Sequence, residues 1–149
     1  MRVLPVSIDP SAGVILFVGS GGAALGRLRL LRAAGAHVRW LSASADIAEE
    51  ALTLAGARPG RLEISVGDPL KADLTGVVAI VASAGRKVDP QIAERARRHR
   101  IPVHMVDRPD LSTFVFPASG DRGDDLEALA RAGVPVRLVP GAVPAREVA

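Results

Sequence analysis

Residues 13–41 read GVILFVGSGGAALGRLRLLRAAGAHVRWL, and this stretch decides the fold. Val14-Ile15-Leu16-Phe17-Val18 is a continuous apolar run rich in β-branched residues, the pattern of a strand buried on both faces. Gly19-Ser20-Gly21-Gly22-Ala23-Ala24 follows at once, and then a helical pattern begins. Leu25, Leu28, Leu31 and Ala34 are expected on one helical face, with Arg27, Arg29 and Arg32 pointing elsewhere. Gly35 is placed to stop the helix, and Val38-Arg39-Trp40-Leu41 begins a second strand. The stretch is a βαβ unit.

Each small residue of the loop has a physical task. Gly19 permits the tight turn out of the strand, and Gly21 removes the Cβ that would keep a pyrophosphate from the backbone. Ala24 stands where a small residue lets helix and strand pack closely. The free N–H groups around Gly22 and Ala23, with Ser20 beside them, would hold phosphates at the helix start. A glycine turn without a ligand is the alternative, but the position between strand and helix favours a dinucleotide. An acid about 20 residues on commonly takes the ribose hydroxyls. Here that region reads Leu41-Ser42-Ala43-Ser44-Ala45-Asp46. Ser42 and Ser44 can hydrogen-bond a ribose, and Asp46 falls into the next turn. No arginine follows immediately to claim a 2′-phosphate, so NAD is preferred over NADP.

Composition narrows the remaining chemistry. With 149 residues, 48% of them apolar and 3% aromatic, the chain reads as one domain with an aliphatic core. It has no cysteine, which excludes disulfides, thiolate metal sites and cysteine nucleophiles. His37, His99 and His104 lack metal-ligand spacing, so no metal is expected. The N-terminus, MRVLPVSIDP, is too short in apolar length for a signal peptide and no run approaches a membrane span, so a cytoplasmic location is expected. The net charge is +3, and Arg95, Arg97, Arg98 and Arg100 form the densest basic run. That run lies at a helix end without interleaved aromatics, a solvated face and not a nucleic-acid surface.

Further along, Ser44 or Asp46 caps an expected helix to about Leu54. Leu62–Val66 alternates as a third strand, Gly67-Asp68-Pro69 turns, and Val77–Val81 is an apolar fourth strand ending at Ala82-Ser83-Ala84-Gly85. Asp89-Pro90 is expected to cap a helix through Arg98 with Ile92 and Ala96 inside. Residues 102–106 make a fifth strand with Asp107 at its carboxyl end. The alternation implies an α/β fold, a Rossmann-like doubly wound parallel sheet, with ligands beyond the carboxyl ends of the strands. Ser20, Ser42, Ser83 and Asp107 all fall on that edge. Asp107 is the acid best placed for chemistry; its other reading is a cap of the turn Asp107-Arg108-Pro109-Asp110. His104 reads as a packed residue on the strand's flank.

Leu4-Pro5-Val6, the VGSGGAALGR loop, LLRAAGAHV, Gly67-Asp68-Pro69-Leu70 and HMVDRPDLSTFVFPA together resemble the precorrin-2 dehydrogenase family, which includes the N-terminal domain of siroheme synthase. The pattern Val106-Asp107-Arg108-Pro109 followed by Ser112-Thr113-Phe114-Val115-Phe116-Pro117 is its most specific part. The resemblance covers Leu4 to Ala118 and implies NAD-dependent oxidation of precorrin-2 to sirohydrochlorin. It also implies that Asp107 is catalytic, that Gly22 and Ala23 contact the cofactor phosphates, and that Ala43 and Ser44 stand beside the ribose. The family's fourth strand typically ends Ala-Thr-Asp-Asp where this chain has Ala82-Ser83-Ala84-Gly85, and His104 replaces an asparagine. After residue 118 the family's dimerisation region and helical domain do not follow. Residues 119–149 instead resemble a short piece of a uroporphyrinogen-III methyltransferase, with a helix expected over 124–132 and a strand over 136–139.

The expected organisation is therefore a dinucleotide-binding domain over 1–118 and a helix–strand tail over 119–149. The expected cofactor-binding set is Gly19, Ser20, Gly21, Gly22, Ala23, Ala24, Ser42, Ala43, Ser44 and Ser83, and the expected catalytic residue is Asp107. The substrate is expected to be a tetrapyrrole, with a homodimer as one way to complete its pocket. A non-catalytic binding module and a sirohydrochlorin chelatase are the other readings.

Overall fold

The computed structural model describes residues 8–19, 26–28, 31–32, 34–44 and 62–116. They belong to a compact unit running Ile8–Phe116. The Ser20–Ala24 loop, the helix expected between Ser44 and Leu54, and the 119–149 tail lie outside the described residues.

Five strands form a parallel sheet: β1 (Val14–Gly19), β2 (His37–Ser42), β3 (Leu62–Val66), β4 (Val77–Ser83) and β5 (Val103–Met105). Their order is β3-β2-β1-β4-β5, so the chain winds outward from β1 in one direction and then crosses to β4 on the other side. The point where the winding reverses lies between the carboxyl ends of β1 and β4, where such sheets bind ligands. This is the expected Rossmann-like sheet. β4 runs two residues further than its apolar stretch because Ser83 pairs with Gly19 of β1. β5 is shorter than expected, although Pro102 O accepts from Ile80 N at 2.9 Å and Val106 N donates to Ala82 O at 2.9 Å beyond its ends.

The continuous apolar runs follow from burial on both faces. Side chains alternate across a strand, and β1 sends Leu16 and Val18 into one core and Ile15 and Phe17 into the other. The first core is covered by the Asp89–Arg98 helix through Ile92, Ala93 and Ala96. The second is covered by Leu28 and Leu31 of the helical residues 26–28 and 31–32. Residue Arg32, expected to face away, is 5% exposed, and Ala34 is exposed in a turn instead of sitting on the apolar face. The helix has already ended there. Ala36 N donates to Leu31 O and Gly35 N to Arg32 O, both at 3.0 Å, a Schellman close with Gly35 at φ +76.

The Asp89–Arg98 helix keeps its expected span but not its expected cap. Val88 occupies the N-cap without a side-chain bond, and Asp89 lies in the first turn, 2% exposed. Its carboxylate turns back and Oδ1 accepts from Ala84 N at 2.8 Å. The helix closes with Arg100 N donating to Arg97 O at 3.0 Å and Ile101 N to Ala96 O at 2.9 Å, which puts Arg100 at φ 56.

Candidate functional site

The described part of the site is the row of strand ends at the carboxyl edge of the sheet. β1 delivers Gly19 at φ +130, opposite Ser83. A Cβ at Gly19 would collide with the Ser83 carbonyl, so the two strand ends approach as closely as they do only because residue 19 is glycine. The Gly19 carbonyl is held from the other side by Trp40 Nε1, which donates to it at 2.8 Å. Trp40 is itself 1% exposed and packs edge-on against Phe17, with ring centroids 5.3 Å apart. The exit of β1 is thereby fixed before the glycine-rich loop begins. Ser20, Gly21, Gly22, Ala23 and Ala24, expected to hold the phosphates, lie outside the described residues.

At the end of β2 the serines divide their work. Ser42 is 2% exposed, and its hydroxyl donates to Ser44 O at 2.6 Å while accepting from Ser44 N at 3.1 Å. Its one proton is thus spent within a local turn. Ser42 shapes the turn; Ala43 is exposed and Ser44 half-buried at its surface. No carboxylate or arginine lies between Leu41 and Ser44.

The β4 and β5 ends carry the polar chemistry. Ser83 Oγ donates to Asp107 Oδ2 at 2.6 Å, joining residues 24 apart in sequence. Asp107 does not cap the turn that follows it. That turn is the 3-10 helix Pro109–Leu111, whose N-cap Arg108 makes no side-chain cap bond. Arg108 instead forks onto Asp110, Nε to Oδ1 at 2.9 Å and Nη2 to Oδ2 at 2.7 Å. This pair holds the Asp110 carboxyl below its ordinary value and raises the Arg108 guanidinium. Asp107 is exposed, and among the described residues nothing donates to its Oδ1.

His104 is packed, as its place on the strand suggested. It is 5% exposed, lies 5.8 Å from the Phe114 ring and 5.0 Å from the Phe116 ring, and its Nδ1 sits 3.3 Å from Phe114 O. A carbonyl only accepts, so Nδ1 carries the proton, and Nε2 is buried without a hydrogen-bond partner. Burial pushes this imidazole below its usual value. The Arg27 guanidinium lies 5.4 Å from the Phe116 ring centroid and adds to the depression.

Sequence patterns located Asp107 and Ser83 but not their bond, and missed Trp40 and Asp89 as supports of the edge. Trp40 carried only the signal of an alternating strand position, and Asp89 resembled an ordinary helix cap. Among the described residues no cluster of three His, Cys, Asp or Glu could hold a metal, and no helix is long and apolar enough to cross a membrane.

Residues 6–118 match a family described as "Putative NAD(P)-binding". A siroheme synthase of Methylococcus capsulatus is 37% identical over 134 residues, covering 89% of this chain and 27% of that protein. A siroheme synthase of Pseudomonas putida (strain W619) is 34% identical over 134 residues, covering 89% of this chain and 28% of its own length. This chain thus spans about a quarter of the curated relatives it matches. A solved structure of SirC, a precorrin-2 dehydrogenase, superposes with a TM-score of 0.61 at 18% identity, covering 80% of this chain and 57% of that one. That likeness shows the shared fold. The chain therefore belongs to the family described as putative NAD(P)-binding.

Proposed function

We propose that this chain binds NAD across the β1–β4 switch point and oxidises precorrin-2 to sirohydrochlorin in siroheme biosynthesis. The observation that carries the reading is Asp107: an exposed carboxylate at the carboxyl edge of the sheet, with one oxygen held by Ser83 and the other without a donor among the described residues. The names of the similar proteins, siroheme synthase and precorrin-2 dehydrogenase, support the substrate.

The residues present suit a dinucleotide. Gly19 takes up no side-chain space where β1 meets β4 at Ser83, and Ala43, small and exposed, stands beside Ser44 at the β2 end. The lack of an arginine between Leu41 and Ser44 favours NAD over its 2′-phosphorylated form. When bound, the nicotinamide supplies a hydride acceptor. The chain's own contribution is to orient and to move a proton. Trp40 and Gly19 fix the exit of β1. Ser44, on the turn held by Ser42, would meet the ribose. Asp107 Oδ1 would take the macrocycle proton that leaves as the hydride departs, and pass it to solvent.

Anaerobic incubation of the full chain with precorrin-2 and NAD tests the reading, with NADH and sirohydrochlorin followed together. Both are expected in equal amounts, and Asp107→Asn is expected to lower turnover by roughly 10²- to 10⁴-fold while leaving NAD affinity in place. Equal activity in wild type and variant would refute the role of Asp107. A second reading, a dinucleotide-binding module without turnover, is favoured by Ala82-Ser83-Ala84-Gly85 at the end of β4, where the resembled family has two aspartates. NAD binding without either product would select it.

A further inference from the structure

We propose that Ser83 is the positioning residue for Asp107, setting the carboxylate's orientation and leaving Oδ1 as its reactive oxygen; this assignment rests on the catalytic reading of Asp107. Ser83 stood in the sequence as a cofactor-binding candidate, yet its hydroxyl has a single proton and gives it to Asp107 Oδ2 at 2.6 Å. A charge-assisted bond of that length fixes the carboxylate about its χ angles, which an exposed aspartate would otherwise sample freely.

The support is itself anchored. Ser83 is the last residue of β4 and pairs in register with Gly19, so its backbone is tied to the exit of β1. The next residue, Ala84, donates its N–H to the buried Asp89 carboxylate at 2.8 Å. On the other strand, Val106 N donates to Ala82 O at 2.9 Å, which holds the end of β5 against β4 just before Asp107. Asp107 therefore extends from a strand end whose neighbour carries the hydroxyl that orients it. No other described group competes for it: Arg108, adjacent in sequence, spends both forks on Asp110.

In the oxidation, a hydride passes from precorrin-2 to NAD and one proton leaves the macrocycle. Oδ1 of Asp107 takes that proton, while Ser83 keeps its own and holds Oδ2 throughout. Removing the hydroxyl leaves every reacting group in place but lets the carboxylate rotate.

Five full-length proteins separate the outcomes: wild type, Ser83→Ala, Ser83→Thr, Asp107→Asn and the double variant Ser83→Ala/Asp107→Asn. Carbon-13 NMR of aspartate side-chain carboxyls identifies the Asp107 resonance as the one missing from Asp107→Asn. That resonance is expected to move in Ser83→Ala and to return toward its place in Ser83→Thr, with NAD affinity unchanged in both. Turnover in Ser83→Ala is expected to fall about ten- to a hundredfold in kcat with little change in KM, the loss of one bond to a charged group, and to recover in Ser83→Thr. Ser83→Ala in the Asp107→Asn background is expected to cost nothing further. An unmoved resonance, or a Ser83→Ala enzyme with wild-type kcat beside an inactive Asp107→Asn, would overturn the assignment alone. Full activity in Asp107→Asn, or no turnover in the wild type, would overturn the catalytic reading beneath it.

Discussion

Trp40 Nε1 donates to the carbonyl of Gly19 at 2.8 Å, tying the middle of β2 to the last residue of β1 across 21 positions of sequence. Both residues are buried. Trp40→Phe keeps a ring against Phe17 but leaves the Gly19 carbonyl without its donor. The expected loss is about 1–3 kcal/mol of unfolding free energy, the cost of an unpaired buried polar group. Urea unfolding followed by circular dichroism measures it, since Trp40 is the only tryptophan.

Gly19→Val tests the close approach of β1 and β4. The residue has φ +130, and any Cβ would meet the Ser83 carbonyl. The strand ends must separate, and NAD affinity is expected to fall by more than about tenfold, equivalent to 1.4 kcal/mol. Calorimetric titration with NAD reads the change, and an affinity equal to wild type would remove Gly19 from the cofactor site.

His104 gives the fold a pH dependence whose sign is set. Its folded-state value is depressed below the ordinary 6.5, so below that pH the unfolded chain takes up the proton more readily than the folded one. Stability is therefore expected to be intact above about 6.5 and to fall as the pH drops toward the folded value. His104→Gln is expected to flatten the decline between neutral and mildly acidic pH in thermal unfolding. An unchanged slope would mean that the decline comes from other groups.

Asp89 holds Ala84 N from within the first turn of its helix, at 2% exposure. Asp89→Ala leaves that half-buried N–H unpaired and is expected to cost about 1 kcal/mol, whereas Asp89→Asn, which keeps an acceptor, is expected to cost less. Differential scanning calorimetry of the two variants orders them.

Arg100 occupies a left-handed position, φ 56, at the close of the Asp89–Arg98 helix, and its side chain is exposed. Left-handed backbone costs a non-glycine residue about 1–2 kcal/mol, of which glycine's greater unfolded-state freedom takes back roughly 0.5–1. Arg100→Gly is accordingly expected to raise the melting temperature, a gain of up to about 1 kcal/mol.

How legible the molecule was depended on the range over which each signal acts. The strands were readable because burial on both faces demands unbroken apolar runs, as at Val14–Val18 and Val77–Val81. Helix ends were less so. Asp89 beside Pro90 has the composition of a cap, but its carboxylate turns to Ala84, and Arg32 is buried where the stripe placed it outside. Ser42 had a ribose-facing position by count, yet the hydroxyl closes its own turn with Ser44.

Taken alone, the sequence determined the parallel α/β architecture, the row of strand ends that forms the candidate site, and Asp107 as the acid on it. Those features follow from local periodicity and from glycines whose neighbours are a strand and a helix. Only the tertiary structure decided that Ser83 faces Asp107, that Trp40 holds Gly19, and that Asp110 takes Arg108 away from Asp107. The first two depend on strand order and register: β4 must lie between β1 and β5, and β2 must pair with β1, before residues 24 and 21 apart can touch. Hydrophobic pattern requires only that each strand be buried, and it carries no term for which hydroxyl or indole will meet which oxygen once the sheet has closed.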